Sequence, residues 1–166
     1  IDPFDLSKDL GRSDGDQRHQ LVVTGAVRTP AGPATTAWAS LTHGFEFSST
    51  LQAYSAPPLN VVTGTTTVQG TAARPMVDGR FIDRNAGAGD PFVSVSVRVQ
   101  RAFRLGGHAR LEGLVEVFNL FNRTNVLARN ATFGTGTYPT APSASFRQIT
   151  AVGDPRTVQV GVRVRF

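Results

Sequence analysis

Few residues in this chain have the type and spacing to do chemistry. His19, His43 and His108 fall on separate segments with no HxH or HxxxH pattern, so no two of them can close on one metal ion from a single strand or helical turn. They read as interfacial or turn residues. Glu112 and Glu116 share a face if their segment is extended, the arrangement a general acid and base would need. Arg110 stands on that same face, so the three together read as the wall of a polar lumen. Gly87-Ala88-Gly89 and Gly134-Thr135-Gly136 are loop glycines, since neither lies between a strand and a helix as a dinucleotide turn must. No GxSxG, phosphate-loop or zinc pattern occurs. Cysteine is absent, which removes disulfides, thiolate ligands and a thiol nucleophile. Asp78, Asp83 and Asp90 lie too far apart for a hard-cation site and read as solvated loop acids. The expectation is a protein that is not an enzyme and carries no metal or cofactor.

Composition points elsewhere. The chain is rich in Val, Thr, Ser, Gly and Phe, with 10 prolines, and poor in helix formers, which is a β composition. Its net charge of +5 is carried by arginines spread along the sequence rather than gathered in a basic stripe with interleaved aromatics, so no nucleic-acid partner is expected. No apolar run approaches the length of a membrane-crossing helix, a test that says nothing about alternating strands. The opening Ile1-Asp2-Pro3-Phe4 carries no export signal and reads as the middle of a longer chain.

Five segments alternate at the period of a strand: about 17–28, 41–54, 92–104, 108–121 and 157–166. In the first, His19, Leu21, Val23, Gly25 and Val27 oppose Arg18, Gln20, Val22, Thr24 and Ala26. The second is long for a soluble strand, with Leu41, His43, Phe45, Phe47 and Leu51 on its apolar side. The third sets Val93, Val95, Val97 and Val99 against Ser94, Ser96, Arg98 and Gln100 without a break. Connections alternate in length. Thr29 to Ser40 and the turn Leu105-Gly106-Gly107-His108 are short, whereas 55–91 and 122–156 are long and full of Gly, Pro, Ser and Thr. Loops that long are uncommon inside a compact soluble domain but normal on the outer side of a membrane barrel. Polar residues on the apolar faces (His19, His43, Arg101, Asn119) fall near strand ends, where a charge facing lipid costs least. The fold expected is all-β: antiparallel up-and-down strands forming part of a transmembrane β-barrel. Five strands cannot close one, so the chain should be incomplete on its own.

Four phrases, in order, carry a resemblance to a known family. They are PPLNVVTGT at 57–65, RNAGAGDPFVSVSVRVQRAFRLG at 84–106, LEGLVEVFNLFNRTN at 111–125, and GDPRTVQVGVRVRF at 153–166. Together they resemble the C-terminal barrel of TonB-dependent outer-membrane receptors, most closely the Oar-like type with a carboxypeptidase-regulatory-like domain. The family motif is Asn119, Leu120, Phe121 and Asn122. The last strand has the form of the signal read by the outer-membrane assembly machinery: Val158, Val160, Val162 and Val164 counted back in twos from the terminal aromatic Phe166. One stretch departs from the pattern, because 66–74 reads TTVQGTAAR where the family often has an acidic Asn/Gly run, and this puts any calcium-like site in doubt.

The resemblance implies a barrel of about 22 strands in the outer membrane of a Gram-negative bacterium, plugged by an N-terminal domain and energised through TonB for uptake of a large solute. The implied partners are outer-membrane lipid, the rest of the barrel and its plug, TonB through an N-terminal part outside this segment, and the assembly machinery. Arg18, Arg98, Arg110, Glu112, Glu116, Arg163 and Arg165 would line the inner wall, and the loops 55–91 and 122–156 would be extracellular. Tyr54, Phe81, Phe133 and Tyr138 are candidates for ligand contact or for an interfacial girdle. Two other readings stay open: a soluble β-sandwich binding module with the long loops at its edge, and an outer-membrane channel that does not use TonB.

Overall fold

A computed structural model describes residues 5–30, 36–106 and 109–166. The chain begins with a 3₁₀ turn, Leu6–Asp9, and then forms β1 (Gln20–Arg28), a short helix α1 (Ala37–Thr42) and β2 (Phe45–Tyr54). Four two-residue strands follow: β3 (Pro58–Leu59), β4 (Met76–Val77), β5 (Arg80–Phe81) and β6 (Gly87–Ala88). The long β7 (Phe92–Gly106) and β8 (Ala109–Phe118) precede a small pair, β9 (Val126–Arg129) and β10 (Ile149–Val152), and β11 (Thr157–Arg165) ends the fold. Ile1 to Phe4 and the turn residues Gly107 and His108 lie outside the described residues, as does part of the connection expected over Thr29 to Ser40.

Two compact units divide these elements. The sheet unit comprises Leu21–Ala53, Val93–Thr124 and Asp154–Phe166; the loop unit comprises Ile1–Gln20, Tyr54–Phe92 and Asn125–Gly153.

The sheet unit is one five-stranded sheet in the order β1-β2-β7-β8-β11. Its long strands run up and down in sequence order, as their alternation predicts. Pairing of β8 with β11 is antiparallel and unbroken from Thr157↔Phe118 to Arg165↔Arg110, and β7 pairs with β8 from Val97↔Val117 onward. This register stacks Val99, Val115 and Val160 on one face and Arg98, Glu116 and Gln159 on the other. A slip of one residue would invert every side chain, so two faces this different fix the register strongly. The sheet stays open, with β1 and β11 as its edges.

Besides β1, which begins at Gln20 rather than near 17, two strand ends differ from the alternation for a local reason. The strand expected from Leu41 begins only at Phe45, because Ala37–Thr42 closes a turn of helix. Thr36 Oγ1 accepts the Ala39 N–H at 3.1 Å as its N-cap, and Gly44, at φ 77°, turns the chain into β2. His43 is therefore the helix C-cap and not a strand residue, and His19 precedes β1. At the other end, β8 stops at Phe118 rather than near Phe121, because Asn119 takes the left-handed conformation at φ 48°.

The loop unit is built from the stretches expected to be long connections, and it holds the buried apolar residues found among the described ones, Val61 and Phe133. Phe133 is 1% exposed and meets Tyr138 at 4.9 Å and Phe146 at 5.1 Å between ring centroids. The two loops are joined by Val62 N–H to Ala131 O at 3.1 Å and Phe133 N–H to Val62 O at 2.7 Å. The N-terminal stretch docks on the first loop: Asn85 Nδ2 donates to Arg12 O and Asp14 Oδ1, both at 2.7 Å, and buried Arg74 donates to Lys8 O and to Asp9 Oδ1.

Candidate functional site

The polar face of the sheet comes first. Arg28 Nε donates to Glu46 Oε2 at 2.9 Å, Gln100 Nε2 donates to the same oxygen at 3.0 Å, and Arg98 Nη2 donates to Gln100 Oε1 at 2.9 Å. One chain of charged and amide side chains thus crosses β1, β2 and β7. Farther across, Arg98 stands opposite Glu116, Arg163 opposite Glu112, and Arg165 Nη2 approaches Glu112 Oε2 at 3.8 Å. The expected wall residues Arg98, Arg110, Glu112, Glu116, Arg163 and Arg165 all fall on this face. Arg18 does not, because it precedes β1 and lies 3.9 Å from Asp16 in the loop unit. Glu112 and Glu116 each stand across from an arginine, an environment for a structural ion-pair wall rather than a free acid and base.

The opposite face is apolar and open. Leu21, Val23, Val27, Phe47, Phe103, Val115, Val158, Val160, Val162 and Val164 are each between 42% and 75% exposed. Soluble monomers rarely expose a continuous apolar patch of more than a few hundred Å². A two-sheet sandwich would cover this face with a second sheet, and among the described residues none covers it. The terminal series Val158, Val160, Val162, Val164 and Phe166 lies on it, with Phe166 98% exposed.

The loop unit carries a groove of about 140 Å³ lined by Pro57, Pro58, Leu59, Asp90, Leu127 and Arg129 among others. At one side of it Arg129 grips Asp90 with two hydrogen bonds, Nε to Oδ2 at 2.5 Å and Nη2 to Oδ1 at 2.8 Å, while its Nη1 donates to Arg147 O. Asp90 is therefore not the solvated loop acid its sequence suggests. A volume this far below the roughly 300–1,000 Å³ of an enclosing ligand site admits one ring or side chain of a larger solute.

The Arg129 hydrogen bond holds the Asp90 carboxyl below the ordinary carboxylate range, against a smaller opposing effect of burial, with the charges of Arg129 and Arg147 adding to the lowering. A depressed carboxyl contributes stability above its unfolded titration range and loses it as pH falls through the folded value. Amide protection factors over 126–129 should thus stay level from about pH 7 to about pH 5 and drop only below the normal carboxylate range. Asp90→Asn should reproduce the acid behaviour at neutral pH; protection equal to wild type would show that the pair does not hold this groove.

Of the four aromatic candidates, Tyr54 ends β2 and stacks on Phe92 at 5.6 Å. Phe81 is half-buried in β5, across from Met76. Tyr138 is half-buried against Phe133. Phe133 itself is a core residue and offers no surface to a ligand or a girdle. Sequence reasoning missed Arg129, Arg74 and Asn85. Only Asn85 left a local sign, an asparagine before Ala-Gly that here takes φ 58°.

Asn119, Leu120, Phe121 and Asn122 form the turn that leaves β8. Leu120 N–H donates to Val95 O at 2.7 Å. Asn119 Nδ2 donates to Arg123 O and Asp154 O, both at 3.0 Å, and its Oδ1 accepts from Arg123 N–H at 3.1 Å. Asn122, also left-handed at φ 51°, accepts Arg156 N–H at 3.0 Å. Two asparagines therefore tie the exit of β8 to the approach of β11. Asn119 is 6% exposed, so Asn119→Ala should cost about 1–3 kcal/mol through unsatisfied buried partners and lower the temperature at which the folded band is lost on a heat-modifiability gel. Asn119→Gly, which keeps the backbone conformation, should lose less.

Comparison with known proteins adds one match: residues 1–82 fit the family model described as an outer membrane beta barrel domain. No curated protein and no solved structure matches the chain. Together with the open antiparallel sheet, one face apolar and one polar, the match makes this a partial β-barrel of the outer membrane of a Gram-negative bacterium, with its apolar face toward lipid.

Proposed function

Because the sheet is part of an outer-membrane barrel, we propose that it supplies five consecutive C-terminal strands of a TonB-dependent transporter of the Oar-like type, a binding and transport surface and not an enzyme. The observation that carries this reading is the family motif, whose two asparagines perform a definite task between β8 and β11. The ordered set of four phrases supports it further. In this reading the polar face lines a lumen filled by a plug domain, and TonB acts on a segment outside these 166 residues. The C-terminal end lies toward the periplasm, the loops 55–91 and 122–156 are extracellular, and β11 is the strand read by the assembly machinery. The groove beside Asp90 and Arg129, with Tyr54, Phe81 and Tyr138, is where solute contact is proposed.

The test is conductance of the intact protein in planar bilayers, paired with uptake in cells with and without TonB. A plugged transporter gives no steady pore current and loses uptake without TonB. Stable current steps, with uptake indifferent to TonB, would instead identify a passive outer-membrane channel lined by the same polar wall.

A further inference from the structure

We propose, resting on the plug-filled lumen of the reading above, that Arg104, Arg110 and Arg165 form a strip on the polar face that docks an acidic stretch of the plug polypeptide. The register of β7, β8 and β11 sets this face out in rungs of three residues. Arg98 and Glu116 share the first rung with Gln159, and the second, Gln100 with Leu114 and Gly161, carries no charge. Glu112 and Arg163 share the third with Ala102. Each of these rungs is neutral. The fourth pairs Arg104 with Arg110 and Arg110 with Arg165, so three arginines stand in one row with no acid among them. This row lies at the α1 end of the sheet, where Ala102 N–H donates to the O of Gly44, two residues beyond α1. Like charges directly opposite each other on neighbouring strands destabilise a sheet, so a row of three calls for an anionic counterpart.

The sheet does not supply that counterpart. Glu112, one rung away, already stands opposite Arg163, and its Oε2 lies 3.8 Å from Arg165 Nη2, beyond hydrogen-bonding distance. Glu46 of β2 is taken by Arg28 and Gln100. Arg110 and Arg165 are both exposed on the lumen side. Lipid does not reach them, because the apolar residues that meet lipid lie on the opposite face. Nor does one small free anion match the row. Neighbouring strands are about 4.8 Å apart, so the rung spans roughly 10 Å, more than a single phosphate or carboxylate covers. A chain bearing several carboxylates covers it, each carboxylate taking a pair of N–H donors in the fork geometry that a guanidinium presents and an ammonium does not. Because the other three rungs are neutral, the docking is confined to the α1 end.

The test treats the intact protein, in outer-membrane vesicles, with a water-soluble carbodiimide, which joins an amine to a carboxyl in contact with it and takes up the water released. Arg110→Lys and, separately, Arg165→Lys place one amine in the rung, where the wild type has none. Gln159→Lys places one on the same face in the first, neutral rung. Peptide mapping by mass spectrometry is expected to find the amine at 110 or 165 linked to an Asp or Glu of the plug. The yield should be roughly tenfold above that from position 159, the scale of a charge-assisted hydrogen-bonded contact. Heat-modifiability shows which variants are folded, and either rung variant suffices if the other is not. A link to Glu112 alone, or plug links no more frequent than from position 159, overturns the inference by itself when uptake still requires TonB. Steady pore current from the wild type, with no plug link from either rung position, overturns the inference together with the plug-filled lumen.

Discussion

An arginine at Val97 is expected to cost about 2–4 kcal/mol of folding stability in a bilayer, measured by urea titration of the intact protein in phospholipid vesicles. Val97 lies on the apolar face, opposite Val117 in an unshifted stretch of the β7–β8 ladder, four residues below Val93 and so well inside the band. The paired control is Ser96→Arg. It is the preceding residue on the same strand, but it points to the face that already carries Arg98 and Gln100, and a cation there is expected to stay hydrated. Its cost should stay within about 0.5 kcal/mol, the usual range for surface substitutions. Equal costs at the two positions would mean that the faces are not in different solvents, and the membrane reading of the sheet would fail with them.

Phe133→Ala is expected to open the loop unit. The ring is 1% exposed and is the centre on which Tyr138 and Phe146 pack, beside the hydrogen-bonded meeting of the two loops at Val62. Removal of a fully buried phenyl group costs about 3–5 kcal/mol. A unit with so few buried apolar residues has little to compensate for that loss. Protease cleavage within Asn125–Gly153 should therefore appear in the variant under conditions where the wild type resists, while the sheet keeps its heat-modifiable form. If cleavage is unchanged, the aromatic cluster is not what holds these loops together.

The sheet was legible because its signal is local and repeated. Val93 to Val99 and Val158 to Val164 declare their face at every second position, and the register found in the structure keeps those faces continuous across β7, β8 and β11. Leu41 and Thr42 show the limit of that signal: a Thr36 cap and a glycine at 44 were enough to draw an alternating segment into a helical turn. The loop unit was illegible for a different reason. Its defining pairs, Asp90 with Arg129 and Asn85 with Arg12, are 39 and 73 positions apart and obey no period. Glycine- and threonine-rich stretches gave no hint that Phe133 is a core residue. Which of the aromatic candidates faces outward depends on packing that no local pattern encodes.

The division of the chain between the two units sets an order of events. The loop unit is assembled from three stretches, and the chain leaves or rejoins it at every long strand. Arg12 cannot meet Asn85 until β1 and β2 have both been laid down between them, and Phe133 cannot reach Val62 until β7 and β8 have been added. Loop closure over such spans loses chain entropy with no local contact to offset it, so these pairings are intrinsically late. These pairings thus form late relative to contacts within a single hairpin. A chain stalled before its third loop stretch was ordered would carry loops open to proteases, and resistance would come only when Asn125–Gly153 joined the unit.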